Sequence, residues 1–126
     1  MRYLILIIAF GILLYAQEAQ TESNFSNALK EAKSQNKNVM MIYSAKWCPE
    51  CNYMKDVVFK NKELSAYMKK HFTVLALDIQ KDKLPEGFNY IGIPTFFIVD
   101  KNGKEKNKIE GGDKAEKFLR KLKALK

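Results

Sequence analysis

The sequence has little cysteine and histidine: two cysteines and one histidine among 126 residues. Two cysteines exclude a disulfide-dense scaffold, and together with one histidine they fall short of the four ligands of a structural zinc site. No Ser/Gly-rich linker, internal repeat or biased tract divides the chain after its first 20 residues. We therefore expect one domain that binds neither a metal nor a cofactor.

The composition places the chain among folded proteins. Hydrophobic residues make up 47% and charged residues 29% of the sequence, which excludes a disordered or low-complexity chain. The formal net charge of +8 would allow attraction to nucleic acid or anionic lipid, but net charge alone identifies no partner. We interpret the lysines of the C-terminal third as solvated residues of an edge strand and of a helix surface.

The N-terminal residues have the pattern of a secretory signal peptide. An uncharged apolar run, Tyr3–Ala16, follows Arg2 and precedes a polar stretch. The run is shorter than the roughly 20 apolar residues of a membrane-spanning helix, so cleavage after Ala16 is preferred to permanent anchoring. An uncleaved anchor stays open, because Leu14 is larger than the small residue favoured at that position of a cleavage site.

Three segments follow from this pattern. We predict a signal peptide over 1–16, a short N-terminal segment over 17–23 and the folded domain over 24–126. Export to the bacterial periplasm makes nucleic acid an unexpected partner. It also places the two cysteines where disulfides form and persist.

The apolar patterns after residue 23 predict an α/β domain. Helical spacing alternates with short apolar runs of strand length, and the Asn102-Gly103 pair indicates an antiparallel hairpin. The predicted elements are a helix over 24–35, buried strand Val39–Ser44, a helix from Pro49, a helix capped by Asn61, buried strand Phe72–Ile79, strands Thr95–Val99 and Lys104–Ile109, and a final helix whose capping box is Asp113 with Glu116.

The chemistry of the sequence lies in its Cys-x-x-Cys pair. Cys48 precedes a helix that begins at Pro49, and the partial positive charge at a helix N-terminus stabilises a thiolate. One helical turn brings Cys51 next to Cys48. Cys48 can therefore attack a substrate disulfide, and Cys51 can resolve the mixed disulfide. A permanent structural bridge is the alternative, although a bridge that closes so short a loop constrains the unfolded chain little.

These residues resemble the thioredoxin superfamily over about residues 24–125. The resemblance rests on Trp47-Cys48-x-x-Cys51 after a buried strand and on Ile93-Pro94-Thr95 at the start of a later one. Residues 39–48 and 54–59 are similar to the C-terminal, periplasmic thioredoxin domain of the disulfide reductase DsbD and to its small secreted relatives. The resemblance implies a four-stranded mixed sheet flanked by helices, without the N-terminal strand of thioredoxin.

The resemblance also implies a substrate-binding surface beside the two sulfurs. It makes Ile93-Pro94 a cis peptide, with a trans proline that opens a strand as the alternative. The backbone of Ile93 and Thr95 would pair with an extended substrate segment. Trp47 would offer apolar contact to the substrate and shield one side of Cys48.

Two departures from the family concern the proton of Cys51. The family's buried aspartate, six residues before the first cysteine, is Ile42 here, and the position of its lysine partner is Ala76. Cys51 must then lose its proton to water, to Glu50 or to another group. Glu50, like Pro49, is also predicted to modulate the pair, because a nearby carboxylate disfavours the thiolate of Cys48.

The sequence therefore predicts an exported thiol:disulfide oxidoreductase. We expect a monomeric reductase of protein disulfides that receives its electrons from a membrane donor of the DsbD type, since a reductant in an oxidising compartment needs such a donor. Two alternatives stay open. The first is an oxidase or isomerase, and the second is a redox-inactive module that binds an extended peptide beside Pro94.

Overall fold

The structure is a computed structural model that describes residues 24–125. The predicted signal peptide and the segment 17–23 lie outside the described residues. Across 24–125, no helix has the length and apolar character needed to cross a membrane.

Four helices and four strands follow one another along the described chain. Helix α1 occupies 24–34, and Asn61 caps helix α3 as predicted, because its side chain accepts a hydrogen bond from the Leu64 N–H at 3.0 Å. The remaining elements are β1 (Asn38–Ser44), α2 (Pro49–Asp56), a 3₁₀ turn (Val58–Lys60), α3 (Lys62–His71), β2 (Phe72–Asp78), β3 (Thr95–Val99), β4 (Glu105–Glu110) and α4 (Ala115–Ala124).

The strands form one mixed sheet in the order β2-β1-β3-β4. Strand β1 pairs in parallel with β2, as in a β-α-β unit, and antiparallel with β3. Strands β3 and β4 form the antiparallel hairpin that Asn102-Gly103 predicts, and Gly103 takes a positive φ of 82° in its turn. The predicted α/β fold with a four-stranded mixed sheet is confirmed.

Alternating side chains of the two central strands supply the core on both faces of the sheet. Met40 and Phe96 point to the face covered by α2, α3 and α4, where they pack with Phe118. Met41 and Phe97 point to the opposite face, which α1 covers. Because β1 and β3 are buried on both faces, their sequences are continuous apolar runs.

The prediction of β2 as a fully buried strand is wrong. Strand β2 is an edge strand with an alternating burial pattern, and Val74 is 47% exposed. Helix α2 has only eight residues. It ends before it can cover Val74 and Ala76, whose side chains share the face of Met40 and Ile42. A continuous apolar run therefore marks a strand here but not one that is covered on both sides.

The predicted capping box of the last helix is also wrong. The N-cap of α4 is Lys114, and no side chain caps it. The Asp113 carboxylate instead accepts the Lys114 N–H at 2.9 Å and forms an ion pair with Lys121 at 3.1 Å. The helix begins at Ala115, one residue later than the capping box would place it, because the Asp113 carboxylate binds the Lys114 N–H and Lys121 rather than an N–H group inside the first turn.

Candidate redox site

The two cysteines lie at the junction between β1 and α2. Strand β1 ends at Ser44, and a short loop leads to Cys48, which is the N-cap residue of α2 with Pro49 in its first turn. Cys48 and Cys51 form a disulfide, with their Cα atoms 5.2 Å apart. Each cysteine is only 6% exposed. The predicted contact between the two sulfurs is therefore present.

Hydrogen bonds hold Cys48 at the N-terminus of α2. Its Sγ accepts the Cys51 N–H at 3.2 Å, and its own N–H donates to the Ala45 carbonyl at 3.2 Å. The Asn52 side chain donates to the Lys46 carbonyl at 2.9 Å, which ties the loop to the helix that follows it. A hydrogen bond to sulfur and the helix dipole both favour the charged form of a thiol. The arrangement can stabilise a thiolate at Cys48.

The Ile93-Pro94-Thr95 segment lies beside the cysteines. The Ile93–Pro94 peptide bond is cis, and the Pro94 carbonyl accepts the Gly111 N–H at 2.9 Å. Ile93 packs against the buried cluster that contains both cysteines. Thr95, in contrast, has no exposed surface, and its hydroxyl donates to the Gly92 carbonyl at 2.6 Å. In this state of the protein, Ile93 is half-buried and open to contact with a substrate, whereas Thr95 has no accessible surface.

Glu50 points to a loop that sequence reasoning did not associate with the site. One carboxylate oxygen of Glu50 accepts the Gly112 N–H at 2.9 Å. The same β4–α4 loop contacts α2 a second time, because the Asp113 N–H lies 3.4 Å from the Met54 sulfur. Glu50 thus joins helix α2 to the Gly111-Gly112 turn. A Gly-Gly pair shortly before a helix is the available sequence signal for this contact.

Exposed apolar side chains precede Cys48 and Pro94 in the sequence. Trp47, immediately before Cys48, is 61% exposed. Tyr90 and Ile91, in the loop that leads to Pro94, are 43% and 87% exposed. Sequence reasoning missed these last two residues, although a Tyr-Ile pair in a polar loop is an available signal. Such side chains can bury apolar area against a partner.

Burial and nearby charges shift one pKa close to this loop. The phenol of Tyr43, on β1, donates to the Asp82 carbonyl at 3.0 Å, and its ring meets that of Tyr90 edge-on at 4.8 Å. Burial raises the pKa of Tyr43 above its ordinary value, and Tyr90, Asp82 and Asp78 add to the shift. Between residues 24 and 125, no three His, Cys, Asp or Glu residues cluster to hold a metal ion.

A comparison with protein families identifies this arrangement. The family described as a thioredoxin-like domain matches residues 25–126, which include all the residues above. The chain belongs to the thioredoxin-like family. Its Cys-x-x-Cys pair and its thioredoxin-like relatives together support thiol–disulfide exchange as its general chemistry.

Known proteins similar to this thioredoxin-like chain include disulfide exchange proteins and thioredoxins. The thiol:disulfide interchange protein DsbD of Campylobacter jejuni strain RM1221 is 27% identical over 79% of this chain, which spans 18% of the relative's length. A thioredoxin H-type of Brassica oleracea is 33% identical over 76% of this chain and 75% of the relative. The oxidised DsbD C-terminal domain of Neisseria meningitidis has a TM-score of 0.62 at 24% identity, over 86% of this chain and 95% of that domain.

Proposed function

We propose that this chain is an exported thiol:disulfide oxidoreductase that acts as a reductase of protein disulfides. The observation that carries the proposal is the Cys48–Cys51 disulfide in the first turn of α2, with the Cys48 sulfur accepting the Cys51 N–H. A sulfur so held is a good nucleophile at neutral pH and a good leaving group. Export is supported by the apolar run Tyr3–Ala16 and by the DsbD-like relatives.

The exchange proceeds in two steps. The Cys48 thiolate attacks one sulfur of the substrate disulfide, so a mixed disulfide forms and one substrate thiolate leaves. The Cys51 thiolate then attacks the Cys48 sulfur, which releases the second substrate thiolate and forms the Cys48–Cys51 bond. Two electrons pass to the substrate, whose two thiolates take up protons.

The substrate is a polypeptide held by apolar contact and backbone pairing. Trp47 and Ile93 flank the disulfide and contact the substrate, while Pro94 leaves the adjacent backbone without a competing N–H. Thr95 acts from the interior, because its hydroxyl bond to the Gly92 carbonyl fixes the segment that Ile93 belongs to. Pro49 fixes the start of α2, and Glu50 modulates the pair through the helix that it anchors to Gly112.

The surroundings of the pair support the reductive direction of electron flow. The exposed carboxylate of Glu50 disfavours a nearby thiolate, which makes the couple slightly more reducing. A reductase in the periplasm requires continuous re-reduction, and we propose a membrane donor of the DsbD type for this monomeric protein. In the exported protein, residues 1–16 are removed, 17–23 form a short N-terminal segment and the thioredoxin-like domain follows over 24–126.

The equilibrium reduction potential of the purified full-length chain tests this proposal. A reductase is expected near about −270 mV, the value of thioredoxin, whereas a potential near about −120 to −180 mV would identify an oxidase or isomerase. The Cys48→Ser and Cys51→Ser variants are the matched pair. Only the Cys51→Ser variant should accumulate mixed disulfides with periplasmic proteins. A different outcome would identify a redox-inactive binding module: the wild-type protein reduces no disulfide, and the Cys48→Ser variant still binds peptide.

A further inference from the structure

A cavity of about 250 Å³ lies on the inner side of Cys51. It reaches from the resolving cysteine to the open edge of the sheet at β2. Its floor is largely apolar, and its rim carries polar and charged side chains. Its lining includes Ile42, Cys51, Val74, Ala76, Asp78, Lys46 and Lys55. We call this space the Cys51 cavity.

The Cys51 cavity is lined by the two positions at which this chain lacks the family's charged side chains. Ile42 and Ala76, the positions that depart from the family's aspartate and lysine, are register partners on neighbouring strands β1 and β2. Both line the cavity. Ala76 is exposed and Val74 is 47% exposed, so the cavity opens to solvent along the β2 edge. A cavity of this size with polar groups at its rim can hold several water molecules.

The Cys51 thiol needs a proton acceptor inside the protein. Cys51 is 6% exposed, so bulk water has little direct contact with it. Glu50, the acceptor that the sequence suggested, directs its carboxylate to the Gly112 N–H instead. His71 does not line the cavity; it precedes Phe72 at the start of β2, about 20 Å from Asp78 at the other end of that strand at 3.3 Å per residue.

Asp78 is the one carboxylate among the residues that line the Cys51 cavity. Resting on the proposed function, we propose that Asp78 accepts the Cys51 proton through water in this cavity. Asp78 and Ala76 lie two residues apart on β2, so their side chains leave the same face of the sheet. The Cys51 thiol gives its proton to a cavity water, and that water passes a proton to the Asp78 carboxylate. The Cys51 thiolate then attacks the Cys48 sulfur and displaces the substrate thiolate.

Several charged and titratable groups surround Asp78. Lys46, from the loop before Cys48, and Lys55, from α2, line the same cavity. Asp82 accepts the backbone N–H of Asp78 at 2.9 Å, and the negative charge of Asp78 contributes to the raised pKa of Tyr43 on β1. One carboxylate oxygen of Asp78 accepts the Gln80 N–H at 2.8 Å, which leaves its second oxygen for water.

The Asp78→Asn variant of the full-length chain tests the proposal. Asparagine keeps an acceptor oxygen for the Gln80 N–H but cannot take up a proton, so the turn after β2 is preserved. Asp56→Asn is the matched control, since Asp56 is exposed and does not line the Cys51 cavity. Reduced protein is mixed with an aromatic disulfide reagent that releases a coloured thiolate. The first release reports attack by Cys48, and the second reports resolution by Cys51.

We expect Asp78→Asn to slow only the second release, by about tenfold or more at neutral pH. This effect is smaller than the rate factor of about 10²–10⁴ that a directly positioned general base contributes, because a water molecule lies between Asp78 and Cys51. Asp56→Asn should leave both releases unchanged. Loss of a negative charge that acted only through space would lower the pKa of Cys51 and speed the second release below that pKa. A second release that is equally fast or faster in Asp78→Asn therefore overturns the proposal.

Ala76→Leu gives an independent variant, because a larger side chain at the mouth excludes water from the cavity. We expect it to slow the second release as well. Slowing by Ala76→Leu without slowing by Asp78→Asn would mean that water alone takes the proton, which also overturns the role of Asp78. A wild-type protein that shows no second release at all would refute the proposed oxidoreductase function instead.

Discussion

The contact between the Gly111-Gly112 turn and helix α2 makes Gly112→Ala an informative perturbation. A Cβ atom at position 112 would lie 2.9 Å from the Met54 sulfur and 3.2 Å from Cγ of Glu50. Both distances are shorter than ordinary van der Waals contact. Met54 is 1% exposed and belongs to the main core cluster, so its side chain has little room to move away. The substitution forces the turn and α2 apart.

The expected loss of stability follows from opposing contributions. Overpacking a filled site costs about 1–3 kcal/mol. Displacement of the turn also weakens the hydrogen bond from the Gly112 N–H to Glu50, and a hydrogen bond contributes about 1 kcal/mol or less at an exposed site. Alanine restricts the unfolded chain and returns about 0.4–1 kcal/mol. We therefore expect Gly112→Ala to lower the free energy of unfolding by about 1–2 kcal/mol.

Urea denaturation of the oxidised full-length chain measures this loss, with Gly92→Ala as the matched control. A Cβ atom at Gly92 meets nothing within 4 Å, and Gly92 does not have a positive φ. Gly92→Ala should therefore be neutral or stabilise the protein by up to about 1 kcal/mol. In a Met54→Ala background, the penalty of Gly112→Ala should shrink by about 1 kcal/mol, because the main clash is gone.

Two results would refute this reasoning. The first is a Gly112→Ala variant that is as stable as the Gly92→Ala variant. The second is an unchanged penalty in the Met54→Ala background, which would mean that the clash with the sulfur does not determine the cost. Either result would mean that the packing of the turn against α2, the helix that carries the two cysteines, does not contribute to stability as proposed.

Two further predictions concern titration. Burial, and then the charge of Tyr90, raise the folded-state pKa of Tyr43 above the unfolded value near 10. The contribution of Tyr43 to the free energy of unfolding is therefore complete below the unfolded pKa and is lost as the pH rises through the folded pKa. Tyr43→Phe removes the hydrogen bond to the Asp82 carbonyl and should lower the free energy of unfolding by about 0.5–1.5 kcal/mol at pH 8. In urea denaturation over a range of pH, the variant should lose less stability than the wild type as the pH rises. Parallel curves of stability against pH for the two proteins would contradict this. The side-chain hydrogen bond from Lys121 holds the pKa of Asp113 below its ordinary range. The contribution of Asp113 to the free energy of unfolding is therefore present above the unfolded pKa and is lost as the pH falls through the folded pKa. Lys121→Met should raise that pKa in an NMR titration of the carboxyl carbon, and an unmoved titration would show that the ion pair is not formed in solution.

Local patterns of the sequence were sufficient for most elements of the fold. The apolar run before Cys48, the Asn61 cap and the Asn102-Gly103 turn each specify structure through neighbouring residues, and each element was found as predicted. The same holds for the disulfide pair, because one turn of helix fixes the distance between Cys48 and Cys51. Interactions within a few residues need no knowledge of the rest of the chain.

The errors concerned features that depend on contacts beyond the local sequence pattern. The burial of β2 depends on how far α2 extends over it, and a run of apolar residues does not contain that information. The start of α4 depends on Asp113, which pairs with Lys121 rather than capping the helix. The partner of Glu50 is also distant in sequence, since Gly112 follows it by more than 60 residues.

The sequence by itself determined the helix-terminal cysteine pair, the antiparallel hairpin and the absence of the family's aspartate and lysine at Ile42 and Ala76. Only the tertiary structure made these two positions neighbours, opened the Cys51 cavity between them and brought Asp78 to its rim. The physical reason is that a hydrogen-bonding pattern or a helical turn acts over a few residues. A cavity is what remains after strands and helices from the whole chain have packed, so no single stretch of sequence specifies it.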